Sequence, residues 1–389
     1  MLSETQSATA AQPPPGCRAI CPAILRQIDH FTWTESRATL PICSVSSTCC
    51  LESNPFLDRN QGVCLNVDAF EDKKQLAAVH GELQGHGVHA PETALVQETG
   101  VPGGIQATTL SRIVATPLFG KDGRVIGRFF EDSDARYCML GDIRPDNPDA
   151  PRGEQATNVL NAMQRALTDA GMHFRHVVRT WFYNENLLDW YADFNHARTE
   201  FFRHHRIQRM PASTGIGVAN AGGAALVAKA VAVQPKTRFV SVHLVESPLQ
   251  HEASAYGSSF SRAMEVTDRA GRILYISGTA SILPNGKTAH IGDASAQIEK
   301  TMEVVGAILK NNGMNLTDTT RAIAYFRHRE HIPLWEQYCV AHRLPPLPVI
   351  LTQCDVCRDN LLFEIELDAA RSIPGVHVSA LTGQWSIHH

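Results

Sequence analysis

Residues 296–314 read AQIEKTMEVVGAILKNNGM, and residues 154–172 read EQATNVLNAMQRALTDAGM: one helix, written twice. In the later copy Ile298, Met302, Val305 and Leu309 recur at helical spacing, an apolar stripe that a sheet must cover. Gly313 follows as the helix stop. In the earlier copy the stripe is Val159, Met163, Ala166 and Leu167, and Gly171 is the stop. The flanks repeat too. ARYCMLGDI (135–143) and GRILYISGTASI (271–282) precede the two helices, and HVVRTWFY (176–183) and DTTRAIAYF (318–326) follow them. Next come HHRIQRMP (204–211) and AHRLPPLP (341–348), then ALVAKAVAV (225–233) and LLFEIELDA (361–369). Gly171 and Gly313 lie 142 positions apart, as do Arg179 and Arg321, and Tyr183 and Tyr325. Arg206 and Arg343 lie 137 apart, as do Pro211 and Pro348. Constant offsets with one small loop change mark a genuine internal repeat.

Each copy resolves into elements. MEVTDRAGRILYISG (264–278) places strand-like flanks around a turn at Asp268-Arg269-Ala270-Gly271. TTRAIAYF reads as a strand, IPLWEQYCVAHR (332–343) as a second helix and LLFEIEL as a final strand. The unit is therefore β-β-α-β-α-β. Its loops are too short for a doubly wound sheet, so the fold class is α/β of the α+β kind, with helices on one sheet face.

Length and composition set the frame. At 389 residues the chain exceeds one ordinary core, and 43% hydrophobic, 19% charged and a net charge of −4 describe a globular protein. No basic run or aromatic-basic stripe suggests nucleic acid. The opening MLSETQSATAAQPPPG lacks a basic start and an apolar core, so residues 1–22 read as a disordered polar arm in a cytoplasmic protein. The most apolar stretch, 219–233, is interrupted by Lys229, and no membrane span is expected. Ten cysteines are expected to stay reduced. Cys354 and Cys357 form a CxxC with no second pair, and Cys17 with Cys21 and Cys49 with Cys50 fit no metal pattern. His204-His205 and His328-x-x-His331 lack a third ligand, so neither metal nor organic cofactor is assigned.

The order of elements, with Phe260-Ser261-Arg262-Ala263, Ser277-Gly278-Thr279 and Phe363-Glu364-Ile365-Glu366, resembles the RidA/YjgF family of small trimeric proteins. Two units do not close a trimer. Residues 23–122 are long enough for a third, degenerate copy, beside a central unit at 123–240 and a C-terminal one at 241–389. Such a chain, pseudo-threefold within itself, resembles the chorismatases, as do RTWFY, FNHAR, PASTGIG, AYGSSFSRA, ISGTASI and VCRDNLLFEIE. Internal closure implies a monomer, and the resemblance implies chorismate as the small-molecule substrate.

Alternation along 361–367 puts Phe363, Ile365 and Leu367 on a core face and Glu364 and Glu366 on the other. Such carboxylates are commonly solvated. In an inter-unit cleft, desolvation would instead keep a carboxyl protonated near neutrality. The resemblance places the proton donor on Glu364; at an offset of 137 its counterpart is Val227, so the other copy offers no acid. The resemblance also makes Cys357 the position that separates aromatising enzymes from those releasing a dihydroxy diene. Its cysteine implies 3-hydroxybenzoate, with 4-hydroxybenzoate as a second product, although Ala280, the second such position, is less typical of that kind. Chorismate carries two carboxylates, and arginine's planar fork suits them. Arg198 and Arg262 are the candidate clamps, Tyr183 and Tyr256 the candidate hydroxyl donors, and Thr214 with Gly215 a candidate source of backbone N–H groups. Arg179 and Arg321, repeated at equivalent positions, suggest a shared structural role. Diene release, a RidA-type imine deaminase and a non-catalytic binding protein are the alternatives.

Overall fold

The computed structural model describes residues 42–47, 63–110, 114–252, 259–372, 376–378 and 385–387. The polar arm expected at 1–22 lies outside the described residues. Three sheets follow one another along the chain. The first contains β1 (Ile42–Ser47), β2 (Val63–Glu71), β3 (Glu92–Val96) and β4 (Gly104–Leu110), with helix α1 (Lys73–Gly85) between β2 and β3. The second contains β5 (Thr116–Phe119), β6 (Val125–Glu131), β7 (Ala135–Ile143), helix α2 (Arg152–Asp169), β8 (Val177–Asn184), helix α3 (Leu187–His204) and β9 (Ala212–Gly217). After β9, the short β10 (Ala219–Asn220) crosses to pair with β3 of the first sheet, and β11 (Leu226–Pro235) returns to the second. The third contains β12 (Ser241–Val245), β13 (Ala263–Thr267), β14 (Gly271–Ala280), helix α4 (Ala294–Asn311), β15 (Thr319–Phe326), helix α5 (Ile332–Ala341), β16 (Val349–Gln353) and β17 (Phe363–Ser372).

The second and third sheets have one topology, β5-β6-β7-β11-β8-β9 and β12-β13-β14-β17-β15-β16. The first keeps its central part, β1-β4-β2-β3. In each unit a strand, a helix and a second, parallel strand form one right-packing motif: β2 with β3, β8 with β9, β15 with β16. The third copy, expected from symmetry alone, is thus present. Two details differ from the expected unit. Short parallel strands β9 and β16 and edge strands β5 and β12 extend it, and β5 starts the second sheet ahead of the boundary expected after residue 122.

Register makes the equivalences explicit. Val67 donates its N–H to Pro91 O and Ala322 its own to Pro348 O, which aligns Asn66 with Arg321. By the same register Phe70, Tyr183 and Tyr325 are counterparts, opposite Gly104, Val227 and Glu364 in the antiparallel partner strands. Helix ends repeat as well. Gly171 (φ 67°) and Gly313 (φ 68°) stop α2 and α4 in the left-handed region, which glycine enters without a Cβ penalty. Past α1, α3 and α5 the same conformation falls on Gly87 (φ 61°), Arg206 (φ 52°) and Arg343 (φ 49°). The arginine landmarks 137 apart are therefore helix stops.

Helix α4 is capped by Asp293, whose carboxylate accepts from the Ala296 N–H at 2.9 Å. Its stripe of Ile298, Met302, Val305 and Leu309 packs on Phe363, Ile365 and Leu367, all buried. Each such side chain contributes about 1.5–3 kcal/mol relative to exposure. The opposite face of β17 does not meet solvent. Glu364, Glu366 and Asp368 point toward the pseudo-threefold axis and are 5%, 0% and 6% exposed. On that axis the rings of Phe70, Tyr183 and Tyr325, one from each unit, cluster: Phe70 lies 5.8 Å from Tyr183 and 6.3 Å from Tyr325. Beneath them Glu366 accepts from Arg179 Nη2 and Trp181 Nε1, each at 2.7 Å, and from Arg321. Arg321 also donates to Gln106 Oε1 at 2.6 Å and Asp368 Oδ2 at 3.1 Å, and Lys229 pairs with Asp68. Arg179 and Arg321 thus tie the three units together, as their equivalence suggested. Among the described residues no helix is long and apolar enough to cross a membrane.

Candidate active site

Between the second and third units lies a cavity of about 230 Å³. Helix α3 supplies Tyr191, Phe194, Asn195 and Arg198, residues spaced so that one helical face looks into the cleft. Strand β9 supplies Ser213 and Gly215, and β14 supplies Gly278 and Ala280. Phe260 and Arg262 precede β13; Cys357 and Arg358 lie just before β17, which supplies Glu364.

Glu364 sits between Ala280 on β14 and Tyr325 on β15. Burial, reinforced by the negative charge of Glu366, pushes its carboxyl up to about 8 against the opposing pull of Arg179 and Arg262. The group therefore holds its proton at neutral pH while facing the cavity. Glu366, two residues along the same face, behaves oppositely. Burial alone would raise it, but Arg321 and Arg179 outweigh that and hold it below the usual carboxylate range. Two neighbouring carboxyls are thus driven apart, one to carry a proton and one to carry charge.

Arg198 is 3% exposed. Its Nη2 donates to Asn195 Oδ1 at 2.7 Å, its Nε has no partner among the described residues, and its guanidinium lies over Phe194 at 5.1 Å and Phe260 at 5.8 Å. Burial pulls it below the usual value, and no carboxylate among the described residues offsets that. A buried cation without a carboxylate partner is costly unless an anion arrives to meet it. Arg262 donates through Nε and Nη2 to His251 O, both at 3.0 Å, which holds its fork at the cavity wall. Cys357 is half-buried, and desolvation with the nearby Glu364 carboxyl pushes its thiol up to about 12. At neutral pH it is therefore a thiol and not a thiolate.

Six of the expected residues, Glu364, Cys357, Arg198, Arg262, Ala280 and Gly215, meet in this one cavity. Tyr183 does not. It is fully buried in the axial aromatic cluster, so its expected role as a substrate hydroxyl donor is corrected to a packing role. Gly215 lines the cavity, but Thr214 does not. It lies behind the wall, where its Oγ1 accepts from Arg179 Nη2 at 2.7 Å and Gly278 N–H at 3.0 Å. Tyr256 lies outside the described residues. Tyr191, Asn195 and Arg358 were missed from the sequence. The spacing Tyr191, Asn195, Arg198 on one helical face would have flagged the first two.

The related cleft between the first two units is built on the same frame but filled. Asp142 donates its N–H to Thr93 Oγ1 at 3.2 Å, as Gly278 does to Thr214. There Arg144 stands where Ala280 stands, ion-paired to Asp142, which also pairs with Arg124, and Val227 replaces Glu364. That cleft has no carboxyl at the position of Glu364; its carboxylate, Asp142, is held by Arg144 and Arg124 instead.

A family model described as Endoribonuclease L-PSP matches residues 147–234, within the central unit. The class defined by fold and site is a trimer of such units written in one chain. A crystal structure of chorismatase shares this architecture, with a TM-score of 0.62 and 18% identity over 85% of this chain and 98% of that one. The particular fold is that of chorismatase. Two curated proteins of Streptomyces hygroscopicus are also similar. One, named 3-hydroxybenzoate synthase, is 30% identical over 201 residues, 47% of this chain and 58% of that protein. The other, named Chorismatase, is 31% identical over 211 residues, 49% of this chain and 60% of that protein. The matched stretch spans about three-fifths of these curated relatives.

Proposed function

We propose that this chain cleaves the enolpyruvyl ether of chorismate to pyruvate and 3-hydroxybenzoate, acting as a cytoplasmic monomer without a cofactor. One observation carries the proposal. A single cavity holds a buried, proton-bearing carboxyl, Glu364, and a buried guanidinium, Arg198, with no carboxylate partner among the described residues. An acid and an anion clamp lining one cavity suit a dicarboxylate substrate whose reaction starts with proton transfer.

Glu364 delivers its proton to the terminal methylene of the enolpyruvyl group, and the ether carbon becomes an oxocarbenium ion. Water trapping gives a hemiketal that collapses to pyruvate and the dihydroxycyclohexadiene carboxylate, with one water consumed. Trapping by a ring hydroxyl, followed by aromatisation, gives pyruvate and 3-hydroxybenzoate with no net water. Arg198 and Arg262 hold the substrate's carboxylates. The neutral Cys357 thiol, close to Glu364 at the cavity wall, supports the aromatising outcome, as does the name of the first curated relative. The test is incubation of the pure protein with chorismate, with pyruvate measured and ring products separated by chromatography. Stoichiometric pyruvate and 3-hydroxybenzoate are expected. Intact chorismate would overturn the activity, and the diene alone would overturn only the product assignment.

A further inference from the structure

Glu364 is not held by the cleft alone. A Cβ added at Gly278 would collide with Glu364 Oε1 and come within 3.2 Å of Thr214 Cγ2, so the carboxyl rests on the Gly278 backbone beside Thr214. The Gly278 N–H is fixed by Thr214 Oγ1, and Thr214 is fixed by Arg179 Nη2. Arg179 is wholly buried, and the same Nη2 donates to Glu366 Oε2 at 2.7 Å. One guanidinium therefore joins the strand on which the acid rests to the ionised neighbour of the acid.

We infer that Arg179 is a positioning residue of the reaction proposed above, setting both the place and the acidity of Glu364 through Thr214–Gly278 and through Glu366. The inference rests on that functional proposal. Arg179 does not touch the cavity; it acts through other groups. The charges facing Glu364 come from several elements. Arg179 lies on β8, Glu366 on its own strand, Arg262 before β13, Cys357 on the loop before β17 and Tyr191 on α3. Arg198 and Arg358 share the cavity. Glu366 in turn is faced by Arg321, with Asp368 beside that arginine and Lys229 across the axis. Among these, the Arg179–Glu366 pair is one in which the two single neutralisations act on Glu364 in opposite senses. Removing the cation exposes Glu364 to Glu366, which favours the protonated acid. Removing the anion leaves the Arg179 charge uncompensated, which favours the carboxylate.

The test is a titration of Glu364 itself, by the infrared carbonyl band of its protonated carboxyl, assigned by loss of the band in Glu364→Gln. Arg179→Gln should raise the midpoint, and Glu366→Gln should lower it, each by roughly one pH unit or more. The alkaline limb of pyruvate release should move with each. Arg179→Lys keeps the charge and should leave the midpoint near wild type. If a single variant does not fold, the charge-balanced Arg321→Gln/Glu366→Gln leaves Arg179 acting on Glu364 and should lower the midpoint. Unmoved midpoints, or shifts of one sign in both single variants, overturn the inference, as does an unmoved or raised midpoint in the balanced pair. Midpoints that move as stated in a protein that leaves chorismate intact would defeat the functional proposal alone. Chorismate cleavage with unmoved midpoints would defeat this inference alone.

Discussion

Gly278 lies directly against the proposed acid, since any Cβ there would meet the Glu364 carboxyl. Gly278→Ala should lower turnover by about 10²-fold or more, because displacing a catalytic group by an ångström costs that much; thermal stability should change far less. Unchanged turnover would mean that the carboxyl can be displaced without cost. Arg198→Ala removes the buried cation proposed to meet a substrate carboxylate. It should weaken catalysis by roughly 2–5 kcal/mol in kcat/KM, and normal kinetics would remove Arg198 from the site. Cys357→Ala should still consume chorismate but shift the product toward the diene, read by chromatography. At this scale the site was largely legible, because acid, cation and thiol stand in distinctive words. Tyr183 and Thr214 were misplaced for one reason: each has a repeat counterpart, Tyr325 and Thr93, that does the same structural task elsewhere. A residue repeated with its unit serves the unit, and the residues of the cleft are those that break the repeat, as Glu364 does against Val227 and Gly104.

Among the elements, the helix ends are the most regular feature. Arg206 and Arg343 are exposed and left-handed where the first unit has Gly87. A non-glycine residue in that region costs on the order of 1 kcal/mol, and a β-branched one more. Denaturant unfolding should therefore rank the variants at 343 as glycine at or above arginine, with Arg343→Val clearly below. A valine variant as stable as wild type would contradict the conformation. Helices α2 and α4 were legible because an amphipathic stripe on one sheet face needs a strict period. Strands β9 and β16 were not, being short and parallel, with neighbours set by chain crossover and not by alternation. The first unit escaped recognition because its axial positions carry Asn66, Phe70 and Gln106 where the others carry Arg179 or Arg321, Tyr183 or Tyr325, and Lys229 or Glu366. Pseudo-threefold packing needs three complementary sets of side chains there, not three identical ones.

The whole molecule satisfies its threefold symmetry within one chain, with the axis filled by aromatic rings and a buried charge network. Sedimentation should therefore give a species near the chain mass of 42.7 kDa. A stable trimer of chains would contradict internal closure. Of the three equivalent register positions one carries an acid, Glu364; the other two carry Val227 and Gly104. The proposed reaction needs that acid to carry its proton at working pH. Its carboxyl is raised to about 8, so the active, protonated form persists below that pH and is lost above it. The most direct measurement is pyruvate release from chorismate across pH for wild type and Glu364→Gln, with the affinity of an unreactive chorismate analogue measured in parallel. Wild type should lose activity as pH rises through about 8, and Glu364→Gln should bind the analogue while turning over roughly 10²–10⁴-fold more slowly. Near-normal pyruvate release by Glu364→Gln would contradict the account.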